Sequence, residues 1–147
     1  MFIEFMQEQQ LLFIALVVII AMLAYSYVGD RIAGYKSVGA DKAIRLYNDD
    51  AFLLDVRSAG EFKDGSIANA VNISVTDLAK NLDRISVEKD APILVYCMTG
   101  ARSSRAASIL VKSGFTNVYN LSGGITAWKN AGLPVGTPAR SKKNKKK

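Results

Sequence analysis

The sequence predicts an α/β domain with a largely parallel sheet, preceded by a single membrane-crossing helix. Short apolar runs that read as buried strands alternate with segments of helical periodicity, which predicts the α/β domain. Leu11 to Val28 (LLFIALVVIIAMLAYSYV) carries no charge over 18 consecutive positions, which predicts the helix. Half of the 147 residues are apolar and 22% are charged. Setting the uncharged run aside leaves an ordinary globular composition, which excludes wholesale disorder, a collagen and a coiled coil.

As a helix, residues 11–28 span roughly 27 Å, close to the hydrocarbon thickness of a bilayer. Tyr25 and Tyr27 fall at one end, where amphipathic rings favour the headgroup boundary. A signal peptide would need a basic leading segment, but residues 1–10 hold Glu4 and Glu8 and no Lys or Arg, and no small-x-small cleavage site follows the run. A buried core helix would need protein on every side. Arg31, Lys36, Lys42 and Arg45 all follow the run. Because Lys and Arg are retained in the cytoplasm, residues 1–10 are expected outside as a short extracytoplasmic segment. The expected location is the inner, cytoplasmic membrane, single-pass, with the C-terminal domain in the reducing cytoplasm.

Residues 29–35 read as a linker, 36–137 as the one domain and 138–147 as a basic, disordered tail. Asp41 to Asn48 has helical spacing, with Ile44 and Tyr47 on one face and Asp41 placed to cap. Ala51 to Val56 and Pro92 to Tyr96 are short apolar runs of the kind found in buried parallel strands. Val71 to Ile73 is a weaker strand. Ser74-Val75-Thr76-Asp77 resembles a capping box opening a helix to about Arg84. Arg102 to Ser113 reads as a helix, Asn117 to Leu121 as a strand, and Gly124 to Asn130 as a last helix closed by Gly132 and Pro134.

The formal charge of +6 suggests nucleic acid until its distribution is read. Arg140, Lys142, Lys143, Lys145, Lys146 and Lys147 account for all of it, so the folded part is neutral and no DNA partner is expected. The tail is a candidate for docking to another membrane protein, an anionic lipid surface or ribosomal RNA; a merely solubilising tail is the competing reading. One cysteine rules out an internal disulfide, and with no histidine neither a Cys/His metal site nor His-based proton transfer can be assembled. No metal and no cofactor is expected.

In open α/β sheets ligands sit beyond the carboxyl ends of strands, and Cys97 follows the strongest strand directly. The turn Cys97-Met98-Thr99-Gly100-Ala101-Arg102-Ser103-Ser104 leads into a helix, whose unpaired N–H groups and dipole favour negative charge. A thiolate fits that environment and is the nucleophilic form of cysteine. Gly100 lets the backbone curl, and Arg102 adds planar donors suited to an oxyanion. These residues alone support an oxyanion-binding nucleophilic cysteine, a class holding both phosphatases and sulfurtransferases.

The sequence resembles the rhodanese-like domain family over about Lys36 to Val135. Asp55-Val56-Arg57 with Glu61-Phe62 and Gly65-x-Ile67-x-x-Ala70-x-Asn72-Ile73 resembles the family's first signature. Cys97-x-x-Gly100-x-Arg102-Ser103 resembles its active-site loop, and Leu121-x-Gly123-Gly124-x-x-x-Trp128 its C-terminal signature. The departures are Ser66, where the family often has His, and Ser74, where Pro often follows. The resemblance implies a rhodanese-like fold and a sulfurtransferase: Cys97 accepts a sulfane sulfur from thiosulfate, another small donor or a persulfide protein, and passes it to a thiophilic acceptor. Substrate binding falls to Met98, Thr99, Gly100, Ala101, Arg102 and Ser103, with Met98, Thr99 and Ala101 acting through backbone N–H groups. Cys97 to Arg102 has the six-residue rhodanese length, not the longer phosphatase loop, and Tyr96 stands where those phosphatases commonly have His. The rival reading is a non-catalytic membrane-tethered scaffold or binding module.

Within this pattern Asp55, Arg57 and Glu61 are expected to form an ion-pair network under the loop. Trp128 is expected in the core or at its rim with a partner for its indole N–H. Arg105 either adds potential to the pocket or is simply solvated.

Overall fold

The computed structural model describes Met1, Ile3 and residues 9–137. Most of the 1–10 segment and the whole basic tail therefore lie outside the described residues. The chain divides after Ala33 into two units.

The first unit is helix α1, Gln10–Ile32, of 23 residues. Its stretch Gln10–Gly29 is long and apolar enough to cross a membrane, and none of it is buried against protein. Leu11, Phe13, Ile14, Val17 and Ile20 all stand exposed, the reverse of a core helix. The expected linker 29–35 is corrected here, because α1 continues through Ile32 and the Ala33 N–H bonds back to the Gly29 carbonyl. The charged Asp30 and Arg31 end the apolar run without breaking helical backbone, so loss of hydropathy and loss of helix fall at different residues. Gly34, at φ +76, takes the left-handed conformation at which the chain leaves the helix.

The second unit is a three-layer α/β domain. Its strands are β1 (Lys36–Val38), β2 (Phe52–Asp55), β3 (Val71–Asn72), β4 (Ile93–Tyr96) and β5 (Val118–Leu121). They form one sheet in the order β1-β5-β4-β2-β3, with every pairing parallel. Its helices are α2 (Ala40–Asn48), α3 (Ala59–Asp64), α4 (Ala101–Lys112) and α5 (Gly124–Asn130). Central strand β4, Ile-Leu-Val-Tyr, is buried on both faces, and successive side chains feed two cores. Ile93, Val95 and Cys97 join the core that holds Ala106, Ala107 and Leu110 of α4. Leu94 and Tyr96 join the core that holds Ala43 of α2 with Ile125 and Trp128 of α5. The Trp128 indole N–H donates to the Pro134 carbonyl at 3.0 Å.

Several local expectations are corrected. The helix expected from Ser74 is two short 3₁₀ turns, Leu78–Lys80 and Leu82–Arg84, and Ser74 Oγ donates to the Asp77 carboxylate instead of accepting a backbone N–H. The capping box lies at Ser58-Ala59-Gly60-Glu61, where it starts α3. Asp41 does not cap α2: Gly39 is the N-cap and Asp41 sits in the first turn, where its charge complements the dipole. Helix α4 begins one residue before the expected Arg102.

Candidate active site

The site is built where β4 ends between two helix N-termini. Cys97, 1% exposed, follows Tyr96 at the carboxyl end of β4. Gly100 turns the chain at φ +108 and serves as the N-cap of α4, with no side-chain cap to occupy the first-turn donors. A Cβ at Gly100 would stand 3.4 Å from the Gly123 backbone nitrogen, so the loop closes tightly against the approach to α5. Gly124, at φ +57, is more restrictive: a Cβ there would overlap the carbonyl oxygens of Cys97 and Met98. With no side chain in the way, the first turn of α5 holds the loop from below. Ile125 N–H donates to the Cys97 carbonyl at 2.9 Å, and Thr126 Oγ1 donates to the Met98 carbonyl at 3.0 Å.

The sulfur is surrounded by donors. Gly100 N–H donates to Cys97 Sγ at 3.1 Å, and Ser103 Oγ lies 3.4 Å from it. Burial pushes the thiol up, but hydrogen bonds from the Ser103 hydroxyl and from the N–H groups of Ser103, Gly100 and Thr99 outweigh it. The thiol therefore ionises below its ordinary range. Ser103 Oγ is also 3.0 Å from the Gly100 carbonyl and 2.6 Å from Asn120 Oδ1, while Asn120 Nδ2 donates to Ser104 Oγ at 2.9 Å. A hydroxyl has one proton to give, so Ser103 divides it among the sulfur and two oxygens.

The charged groups separate into two pairs instead of one network under the loop. Asp55 and Arg57 are buried, and Arg57 Nη2 donates to Asp55 Oδ2 at 2.7 Å and to the Gly65 carbonyl at 2.7 Å. Burial works against the Arg57 charge, but the bonded Asp55 carboxylate outweighs it and raises the guanidinium pKa. Tyr96 lies beneath this pair, its ring centroid 5.7 Å from the guanidinium carbon. Its phenol is pushed far up, by burial first and then by Asp55, while its oxygen accepts the Ile67 N–H at 3.1 Å. Glu61 instead meets Arg102, 41 residues away, in a bidentate pair with both N–O distances 2.9 Å. That pairing, then the Ser58 bonds, draw the Glu61 carboxyl down to about 2, and the carboxylate raises the Arg102 pKa in turn.

The structure brings all seven sequence-derived site residues into one turn. Cys97, Gly100 and Ser103 are buried, Arg102 is half-buried, and Met98, Thr99 and Ala101 are exposed at the mouth. Arg105 is exposed one helical turn on. Ser66 is committed to a backbone bridge with Gly136, and Ser74 to its bond with Asp77. Sequence reasoning missed Asn120, Thr126 and the close approach at Gly124. The detectable signals were a polar residue inside the apolar strand Val-Tyr-Asn-Leu and a Gly-Gly pair at a helix start. Among the described residues no cluster of three or more Cys, Asp or Glu side chains is arranged to hold a metal ion.

Residues 39–131 match the family model described as Rhodanese-like domain. The chain is 36% identical over 90 residues to a sulfurtransferase of Allochromatium vinosum, covering 61% of this chain and 82% of that protein. It is 35% identical over 96 residues to the thiosulfate sulfurtransferase GlpE of Coxiella burnetii, covering 65% and 88%. A rhodanese-related protein of Thermoplasma volcanium superposes with a TM-score of 0.63 at 33% identity, covering 70% of this chain and 99% of that one.

Proposed function

Because the chain belongs to the rhodanese-like domain family, we propose that it is a membrane-anchored sulfurtransferase whose nucleophile is Cys97. The observation that carries this reading is the enclosure of Cys97 Sγ by the Gly100 N–H and the Ser103 hydroxyl at the start of α4. In the first half-reaction the Cys97 thiolate attacks the sulfane sulfur of thiosulfate or of a persulfide. The donor's S–S bond breaks, its electron pair leaves with sulfite or a thiolate, and Cys97–S–S⁻ remains. In the second, a thiophilic acceptor attacks the outer sulfur and the Cys97 thiolate is released. Electrons balance without an outside oxidant or reductant.

Met98, Thr99, Gly100, Ala101, Arg102 and Ser103 supply the cradle. Each N–H bonded to the anionic sulfur contributes about 1.5–3 kcal/mol, and preformed donors need no reorganisation during transfer. The test is the intact mass of the full-length chain after exposure to thiosulfate or cysteine persulfide. One added sulfur on the parent and none on Cys97→Ser supports the reading. No added sulfur with either donor overturns it in favour of a scaffold role.

The anchor in this proposal is the apolar segment 11–28 within α1, with the domain 36–137 in the cytoplasm. Arg31, Lys36, Lys42 and Arg45, following an N-terminal segment without Lys or Arg, support that orientation. A membrane-impermeant thiol reagent should leave Cys97 unlabelled in intact cells and label it after permeabilisation, with denatured samples controlling for burial; efficient labelling of intact cells would reverse the orientation. The basic residues Arg140 to Lys147 are proposed to hold the domain near an anionic surface, each contributing about 1 kcal/mol before screening. Salt-sensitive, tail-dependent sedimentation with anionic liposomes or ribosomes tests this; tail-independent binding refutes it.

A further inference from the structure

The bidentate pair at the mouth bears on which sulfur donors the site accepts. Glu61 is held from two sides. Its Oε2 accepts from the Ser58 N–H and the Ser58 hydroxyl at 2.9 Å each, and the same carboxylate spans both terminal nitrogens of Arg102 at 2.9 Å. The pair is partly solvent-exposed, with side-chain exposures of 40% for Arg102 and 30% for Glu61, so an incoming anion meets both charges together. Met98, Thr99, Gly100 and Ala101, the remaining loop positions ahead of Arg102, carry no charge. Cys97 and Arg102 interact electrostatically, so the cation that the sulfur senses is one already paired with a carboxylate.

We propose that Glu61 is a specificity-determining residue that disfavours dianionic donors such as thiosulfate and selects monoanionic persulfides of thiols. The assignment rests on the sulfurtransferase reading above. Thiosulfate brings two negative charges past Glu61, and its leaving group, sulfite, carries two away. A persulfide R–S–S⁻ brings one, which the loop N–H groups take up, and releases a monoanionic thiolate. In both cases the Cys97 thiolate forms the new S–S bond and the donor's S–S bond breaks toward the leaving group, so only the charge on the donor body differs. Glu61 is ionised at every working pH, so acidification does not lift the selection; a substitution does.

Glu61→Gln is the suitable variant, because glutamine at the third helical position retains an acceptor for the Ser58 N–H and leaves α3 capped. Across a solvated mouth, removing one carboxylate charge is worth about threefold per unit charge on the incoming molecule. The experiment uses the full-length chain in detergent micelles with cyanide as acceptor. In Glu61→Gln, kcat/KM should rise about tenfold for thiosulfate and about threefold for cysteine persulfide, a net monoanion. A donor-independent reading comes from alkylation of Cys97. The rate with iodoacetate relative to neutral iodoacetamide should rise about threefold in Glu61→Gln. It should return to the parent ratio in Glu61→Gln/Arg102→Gln, where the mouth is again neutral. An unchanged or lowered alkylation ratio in the single variant overturns the proposal, as does a loss of thiosulfate turnover with persulfide turnover retained. Failure of both donors to load the parent while the alkylation ratio still shifts overturns the sulfurtransferase reading and leaves charge selection at the mouth supported.

Discussion

Replacing Ser103 by alanine removes one hydroxyl from a fully buried position and perturbs two partners of different charge. With the thiol protonated, the shortest bond available to that hydroxyl is Asn120 Oδ1 at 2.6 Å; with the thiolate formed, Sγ at 3.4 Å competes for the same proton. A hydrogen bond to a charged group is worth about 1.5–3 kcal/mol and one between neutral groups about 0.5–1.5, so the net support of ionisation is the difference, about 1 kcal/mol. At a pH below the thiol midpoint this corresponds to roughly fivefold less thiolate, with the midpoint itself moving up. The substitution also strands a buried Asn120 oxygen, at a cost of about 1–3 kcal/mol and a fall in melting temperature of roughly 5–14 °C. The assay is the pseudo-first-order rate of iodoacetamide alkylation of Cys97 as a function of pH, with thermal melting measured in parallel. A folded Ser103→Ala protein whose alkylation curve superimposes on the parent's would refute the hydroxyl's role at the sulfur.

Gly124→Ala should cost about 1–2 kcal/mol for the left-handed backbone alone and more for the collision with the Cys97 and Met98 carbonyls, lowering both melting temperature and alkylation rate. Gly60→Ala, in α3 where an added Cβ would meet only the Ser58 Oγ at 4.0 Å, an ordinary contact, serves as a control expected to be neutral or stabilising, and equal effects at the two sites would defeat the argument. Arg57→Met leaves the Asp55 carboxylate buried without its partner and should destabilise by about 3–5 kcal/mol, whereas Asp55→Asn/Arg57→Met should cost less than the single change; a larger loss in the double variant would contradict this. The Glu61 carboxyl is depressed in the folded chain, so its contribution is complete above its ordinary value near 4.5 and is lost as pH falls through about 2. Because the pair is partly exposed, that contribution is about 1 kcal/mol, and melting curves of the parent and Glu61→Gln should converge across the same acid window. Parallel curves there would show that the ion pair adds nothing to stability.

Sequence by itself determined the features that depend on near neighbours in the chain. The apolar run at 11–28, the buried strands β2 and β4, and helix α4 declare themselves because side-chain periodicity is local. The placement of Cys97 after β4 follows from the same strand-turn-helix pattern. Two elements that bury little, β1 and α3, were invisible to it, although β3, which buries neither of its residues, was legible as a weaker strand. β1 has one buried residue, Val38, and is a strand because its backbone pairs with β5; α3 buries none and is held by its capping box. The 3₁₀ turns after Ser74 share their polar-apolar pattern with a helix start, and only the hydrogen bonds distinguish them.

The tertiary structure decided which polar groups meet. β2 lies beside β4 with Asp55 opposite Tyr96, and β5 lies on the other side with Asn120 opposite Val95. The segment following β2 supplies Glu61 to Arg102, and β5 supplies Asn120 to Ser103, a residue 17 positions away. Gly124 closes on the Cys97 carbonyl in the same way. The loop motif names the nucleophile, since strand, turn and helix start are consecutive. The groups that hold its proton and set the charge at its mouth come from separate segments, and their meeting is a property of strand order and register, which local periodicity does not encode.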